Sequence, residues 1–542
     1  MAIAAAKPEV FTRKASGLVR VMSPYSAFIY NILTMGLIFP WTYLWAPGAL
    51  PGGRLVWGIL LAMIFEIPIA LSYVWLSTAL PRSGGDYVFQ SRVFGGGIGF
   101  SIVMSGFVIW ILQWVALSGW LLSYLGFAPL FLGLGGTMAN PSLSSIGVWF
   151  TTPMGIVTVS ILNALLAMLL LVSGFKNYVR FQYVMWYATL ASFAVMLYLL
   201  FQATPETFAQ KLDAFVVASG GNPSFYETAI NAAKTANIDL NPPYSLLATL
   251  LIAPIAWTSL QWASYSAEQN GEIKGARSFR NQMVIILGSL FVTGILLAVL
   301  AAAFEHAIGT DFLYVAGAGY WSGLAEGKFN GVFLWPNIVA MALAGNPVIV
   351  LIIAVGYILN SFQIVNNCYI GMTRVVVAMS LDRLLPEWVS RVSDRLHTPV
   401  NAHLAYFLAS IPVILVYNLW SSWTALTLGV TFACGYVFVV TSLAGALMPY
   451  RAKALYEASP GAAYKLGSIP LVTVLGLIGA VVGSVLVLMF MFYNALGLTS
   501  VLAYEVVFAV LAVSVIWYFA TKMIQRSRGI NVEFAFKEIP PE

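Results

Sequence analysis

Long apolar runs separated by short polar stretches dominate this chain. A hydrocarbon core about 30 Å thick needs about 20 apolar residues per helical crossing. Twelve stretches of that order lie at residues 25 to 46, 55 to 80, 96 to 125, 153 to 173, 181 to 203, 244 to 266, 282 to 304, 347 to 373, 401 to 419, 424 to 449, 470 to 494 and 502 to 521. They predict an all-α membrane protein with twelve transmembrane helices, numbered here as spans 1 to 12. In span 6 the run Leu246 to Ala256 meets Trp257-Thr258-Ser259 and resumes through Leu260 to Tyr265, with Pro254 near its middle. In span 1 the run Ser26 to Met35 meets Gly36 and continues from Leu37 to Trp45, with Asn31 and Thr34 before the glycine and Pro40 after it. Proline removes one helical hydrogen bond and disfavours helix for the residue before it. Both spans are therefore expected to be broken. Unpaired backbone groups in hydrocarbon cost several kcal/mol each, so a broken helix persists only where protein surrounds it or where it lines a cavity. That cavity is the expected binding site. Matching breaks five spans apart imply two inverted repeats of five spans, with solute and ions held where the helices unwind. The expected division is 1–23 as a cytoplasmic N-terminal segment, 24–203 as the first repeat, 204–243 as an outer loop, 244–450 as the second repeat, 451–521 as spans 11 and 12, and 522–542 as a cytoplasmic tail. A short helix at the outer surface is expected within Gly331 to Ala344.

Composition agrees with the pattern. Of 542 residues 60% are hydrophobic and 8% charged, against about 25% charged in soluble domains, and no soluble domain is left over. The net charge of +6 matters less than its distribution. With both termini cytoplasmic, 22 of the 26 basic residues fall on the inner side, and only Arg54, Lys211, Lys234 and Lys328 fall outside. The outer side instead holds Glu206, Asp213, Glu227, Asp239, Glu305, Asp311 and Glu326. This asymmetry predicts a multi-pass protein of the cell (plasma) membrane with both ends inside, and it argues against nucleic acid as a partner. The run from Pro24 to Trp45 is too long for a signal-peptide core and reads as span 1. Cys368 and Cys434 lie within predicted helices, without disulfide or metal-ligand spacing. His306, His397 and His403 lie in or beside loops on opposite sides, so neither a metal cluster nor a catalytic triad is expected. No enzyme activity and no cofactor are called for. A channel would want rings of polar residues and has no need of paired breaks.

Three polar blocks interrupt the apolar pattern. After span 2 comes Pro81-Arg82-Ser83-Gly84-Gly85-Asp86-Tyr87, then Arg92 and Gly95-Gly96-Gly97. Adjacent glycines after a helix end suit a tight re-entrant turn with close backbone contact. After span 6 comes Ala267-Glu268-Gln269 with Lys274 and Arg277. Leaving span 8 are Thr373-Arg374, Ala378-Met379, Asp382-Arg383-Leu384-Leu385-Pro386 and Thr398-Pro399. In this order the blocks resemble the signatures of the amino acid-polyamine-organocation (APC) superfamily, whose first block reads proline, arginine, serine, glycine, glycine, any residue, tyrosine. Gln269 stands where that family usually has a second glutamate. The resemblance covers nearly the whole chain. It implies an APC/LeuT-like 5+5 inverted repeat followed by spans 11 and 12, and a permease that moves amino acids by alternating access.

A broken helix presents N–H groups at one side of the gap and carbonyls at the other, which matches a zwitterion without any charged side chain. As the resemblance implies, the first half of the site falls at Thr34, Met35, Gly36 and Leu37, and the second at Ala256, Trp257, Thr258 and Ser259. Gln113 and Gln261 are candidates for further contacts, and Trp257 for a lid that gates the cavity. The family's paired glycines in span 1 are reduced here to Gly36, and its phenylalanine and glycine in span 6 appear as Trp257 and Ser259. No Asp, Glu, Lys, Arg or His falls inside spans 1, 6 or 10, so a neutral amino acid is the expected substrate. A cationic amino acid or polyamine is the alternative, and Glu66 is the one deep carboxylate to answer it. A non-transporting amino acid sensor stays open. A charge at mid-bilayer costs about 2.5 to 3.5 kcal/mol, so Glu66 must face the bundle, as a site for a coupling proton or as a structural hydrogen-bond partner. The fifth-span lysine that some relatives carry in place of a sodium ion has no counterpart in Tyr187-Ala188-Thr189. A sodium ion is the other candidate, held by Ser361 with carbonyls of span 1, and ion-free exchange is a third. The chain is expected to work in the lipid bilayer as a monomer or homodimer.

Overall fold

The computed structural model describes residues 17–37, 41–420, 427–496 and 501–537. The basic residues Lys7, Arg13 and Lys14 of the N-terminal segment, and the expected helix breaker Pro40, lie outside the described residues. Helix accounts for almost all of the fold. Among the described residues the strands are two short hairpins, Lys328–Phe329 with Val332–Phe333 and Lys465–Leu466 with Ile469–Pro470.

Among the described residues eleven helices are long and apolar enough to cross a membrane. They are span 2 (Leu55–Ala79), span 3 (Gly96–Thr137), span 4 (Pro153–Val172), span 5 (Phe175–Gln202), span 6 (Leu246–Glu272), span 7 (Phe279–Trp321), span 8 (Pro347–Leu381), span 9 (Val400–Leu419), span 10 (Ala433–Arg451), span 11 (Leu471–Phe492) and span 12 (Val501–Ser527). Span 1 is in two pieces, Pro24–Met35 and Trp41–Ala49, which completes the expected twelve. Side-chain caps set several starts. Ser23 accepts from the Ser26 N–H at the head of span 1, Ser245 from Ala248 at span 6, and Asn346 from Val348 at span 8. Each takes up an N–H that the helix cannot satisfy itself.

Burial sorts the spans. In span 6 the most apolar window is 83% buried, against 22% in span 12, so span 6 is central and span 12 peripheral. Phe508, Ile516, Phe519 and Met523 of span 12 are exposed, as side chains facing lipid would be. The first half of span 1 packs against spans 5, 6, 7 and 8. Span 3 runs twelve residues past its expected end and contains two wide turns, Met104–Ile109 and Leu122–Phe127.

Residues 204–242 and 305–346, read as long loops, are largely helical. Pro205–Ala218 and Phe225–Thr235 are helices, and span 7 turns at Gly309, where φ is 75°, and continues to Trp321. The short helix expected within Gly331 to Ala344 is Pro336–Ala344, because residues 328–333 form a hairpin. Pro336 to Leu343 are buried rather than superficial, and the Asn337 amide donates to the Leu125 carbonyl at 2.9 Å. On the opposite face the described chain ends meet the polar blocks. Met22 pairs with Glu272 and Lys274 through backbone bonds of 3.0 and 2.8 Å, and Gln525 donates to the Arg383 carbonyl at 2.9 Å. This side is called the terminal face below.

Candidate functional site

Span 1 stops at Met35 because Gly36 leaves the helical region, with φ 75° and ψ 113°. Glycine reaches positive φ without the penalty a Cβ imposes. The Gly36 N–H still reaches back to Ile32 at 2.9 Å. The Met35 carbonyl accepts the Ser259 hydroxyl. Spans 1 and 6 are thus joined at the break by main chain on one side and a small hydroxyl on the other.

Span 6 behaves differently. It is α-helical through Leu260 and tightens to a 3₁₀ helix over Gln261–Glu272, with Gln269 alone outside helical angles. The break expected at Ala256 to Ser259 is therefore absent: the backbone stays helical through those residues and only changes pitch one turn later. Three side chains compete for carbonyls there. Thr258 bonds back to Ile255 at 2.7 Å, and Trp262 and Gln261 donate to the Thr258 carbonyl at 3.0 and 3.3 Å. A 3₁₀ run longer than three or four residues is uncommon and marks a hinge or a strained stretch.

Below the break, toward the terminal face, is a cavity lined by Thr34, Ile111, Trp114, Trp262, Tyr265, Ile364, Asn367 and Cys368. Its aromatic wall is a run of ring-on-ring contacts. The rings of Trp114 and Trp262 meet edge to face at 5.9 Å, and Trp262 and Tyr265 at 5.3 Å. Span 8 supplies a polar ladder to the same region. Asn367 donates to the Thr34 hydroxyl at 2.5 Å and accepts from Tyr178 at 3.0 Å, and Gln363 donates to both Tyr178 and Asn367. One turn and more beyond them stands Asn360. It is fully buried, neither of its amide atoms has a hydrogen-bond partner, and Oδ1 lies 3.9 Å from where a Cβ on Gly36 would be.

Of the residues singled out in the sequence, Thr34 lines this cavity. Met35, Gly36, Leu37 and Ser259 meet at the break above it, while Ala256 and Thr258 are buried within span 6. Gln113 is buried with both amide atoms unpartnered, and Gln261 and Ser361 each keep one buried oxygen unpartnered. Trp257 is not on the cavity wall. Its indole donates to Glu66 Oε2 at 2.6 Å and packs on Phe438, which joins spans 2, 6 and 10. Glu66 is buried beside it, with Oε1 unpartnered. Trp262, Tyr265, Asn360 and Asn367 were missed by sequence reasoning. The spacing of Asn360, Gln363 and Asn367, three then four residues apart, is a polar stripe on one helix face and was available as a signal.

Toward the terminal face the three polar blocks converge. The Gly84 N–H donates to the Glu268 carbonyl at 2.8 Å, and a Cβ on Gly84 would come within 2.5 Å of that of Ala378. The turn is thus wedged between spans 6 and 8. Arg92 binds Asp382 through two bonds of 2.7 and 3.2 Å, and Tyr87 donates to the same carboxylate at 2.7 Å. Arg374 forks onto Glu272 at 2.7 and 3.0 Å. Asp86 accepts the hydroxyls of Tyr73 and Thr441, and its N–H donates to Glu268 Oε1 at 3.3 Å. All of these charged groups are buried, so each needs the partner it has.

A family model described as amino acid permease matches residues 25–512. The chain belongs to the amino acid permease family. The matched region begins in span 1 and ends in span 12, so both altered spans, the cavity and the buried ionic cluster of this permease lie inside it. A separate comparison aligns 83 residues, 15% of the permease, with an uncharacterized protein of Sulfolobus islandicus rod-shaped virus 1 at 32% identity. That alignment spans about a fifth (21%) of the viral protein.

Proposed function

We propose that this permease is a secondary transporter that moves neutral amino acids across the cell membrane by alternating access, with its terminal face in the cytoplasm. Membership of the amino acid permeases supports a transporter rather than an enzyme. The observation that carries the substrate class is the cavity wall, which is mostly aromatic and aliphatic and has no Asp, Glu, Lys, Arg or His among its lining residues. A charged side chain against such a wall loses hydration without a partner. An apolar one gains about 25 cal/mol for each Å² it buries.

The amino acid's own zwitterion still needs polar partners. Helix ends at the gap in span 1 supply main-chain groups without intrahelical partners. Asn360 beside Gly36 and Gln113 in span 3 add two buried amides with nothing yet to bind. In this reading Thr34 and Trp262 contact the solute, Met35 to Leu37 grip its backbone, and Trp257 acts indirectly by holding Glu66. A cationic substrate is the second reading, favoured by the unpartnered Oε1 of Glu66. Two coupling sites are offered, Glu66 for a proton and Ser361 for sodium, each with a buried oxygen unpartnered. In this reading the chain works as a monomer or homodimer.

The test is uptake into proteoliposomes, with the twenty amino acids competing against a labelled neutral one, with and without sodium and at two pH values. Saturable uptake blocked by neutral amino acids supports the proposal. Uptake blocked only by lysine or a polyamine supports the second reading. Saturable binding without flux makes the chain a sensor, and flux that never saturates makes it a channel.

A further inference from the structure

The segment after span 12 does not trail away from the bundle. It turns at Gly529, where φ is 75°, and forms the short helix Val532–Lys537, in which Val532, Ala535 and Phe536 are buried. One side is bolted to span 12. Glu533 accepts from Lys522, and from the Tyr518 hydroxyl at 3.2 Å. The other side rests on the start of span 3 and the turn before it. The Phe536 ring lies so close to Gly96 that a Cβ there would come within 2.0 Å of it. The Arg92 guanidinium stands 5.9 Å from the centre of the same ring.

Arg92 is the residue that holds Asp382 of span 8, at 2.7 and 3.2 Å. Phe536 therefore caps the ion pair linking the turn after span 2 to the end of span 8. An aromatic ring over a guanidinium is attractive in itself, and by keeping water away it strengthens the pair beneath. The cavity, with Cys368 in its wall, lies on the bundle side of this cluster.

We propose that residues 532–537 are a latch on the terminal-face opening. With Phe536 seated on Gly96 and Arg92, the Arg92–Asp382 pair stays dry and the segment before span 3 stays joined to the end of span 8. When the segment lifts, water reaches the pair and this side of the cavity opens.

The permease carries its own reporter. Cys368 and Cys434 are its two cysteines, and Cys434→Ala leaves only the thiol in the cavity wall. The rate at which N-ethylmaleimide alkylates Cys368 in nanodiscs, where both faces are reachable, then measures opening whatever the solute is. Phe536→Ala, and a second variant lacking residues 530–542, should raise that rate about fivefold or more, the scale of losing a buried cation–π contact. Phe536→Leu keeps an apolar cap and should fall between them and the parent. Added peptide of residues 529–542 should slow the truncated protein again. A Phe536→Ala rate within about twofold of the parent would overturn the latch, whatever the truncated protein does. Phe536→Ala keeps the Glu533 contacts and the full chain, so its rate decides the matter even where truncation impairs folding.

Discussion

Replacing Asn360 by Leu should move stability and affinity in opposite directions. Asn360 is fully buried and both polar atoms of its amide are unpartnered. Each such atom costs about 1–3 kcal/mol of desolvation. Leu has as many side-chain heavy atoms and nothing to desolvate; the two atoms together are worth about 2–6 kcal/mol and the bulkier methyls take back about 1–3 kcal/mol by overpacking, so the solute-free permease should gain about 1–3 kcal/mol. Binding should suffer. A hydrogen bond to a charged group is worth about 1.5–3 kcal/mol, and about 1.4 kcal/mol is a factor of ten. Loss of one such bond to the zwitterion predicts roughly 10- to 100-fold weaker binding. Thermal unfolding in nanodiscs reads the first effect and equilibrium binding of a labelled amino acid the second. Asn367→Leu is the contrast. It severs bonds to Thr34, Tyr178 and Gln363, so it should lower stability. If Asn360→Leu lowers stability and leaves affinity unchanged, the amide is an ordinary structural one and the reasoning fails.

Trp262→Ala should weaken amino acid binding severalfold through loss of the aromatic wall. Trp257→Ala should instead destabilise the protein by about 1–3 kcal/mol, because it strips the hydrogen bond from a buried carboxylate. Equal affinity losses in the two variants would show that the wall is misassigned. Arg374→Ala leaves Glu272 buried without its partner and should cost about 3–5 kcal/mol, much of it recovered when Glu272 is also made apolar. Unfolding curves of the single and double variants measure this, and simple additivity would refute it. Gly84→Ala should destabilise by at least about 1–3 kcal/mol, since φ is +99° and the new methyl would meet Ala378. A melting curve unchanged from the parent would show that the turn can shift.

The spans were legible because lipid demands about 20 apolar residues at a stretch, and that demand leaves a plain mark. The break at Gly36 was legible too, since a glycine amid apolar residues has few other uses there. In span 6 the expected residues include Thr258, whose carbonyl Gln261 and Trp262 capture, but the change of pitch begins at Gln261, where no glycine or proline marks it. That Trp262 rather than Trp257 lines the cavity was hidden for a physical reason. A central span is apolar all round, so no polar face gives away its rotation, and five residues turn a helix by well over a full circle. The ionic cluster was present as three separate blocks. That Arg92 meets Asp382, 290 residues on, is a property of packing rather than of any local pattern. The return of Phe536 to Gly96 was hidden for the same reason, in six residues too few to show periodicity.

The central claim is that the space between spans 1, 3, 6 and 8 holds an amino acid, and Cys368 in its wall tests this directly. With Cys434 replaced by Ala, a transported neutral amino acid should slow alkylation of Cys368, saturably and with the same half-point as its binding. If a neutral amino acid binds with full affinity yet leaves the alkylation rate untouched, the solute sits elsewhere and the account is contradicted.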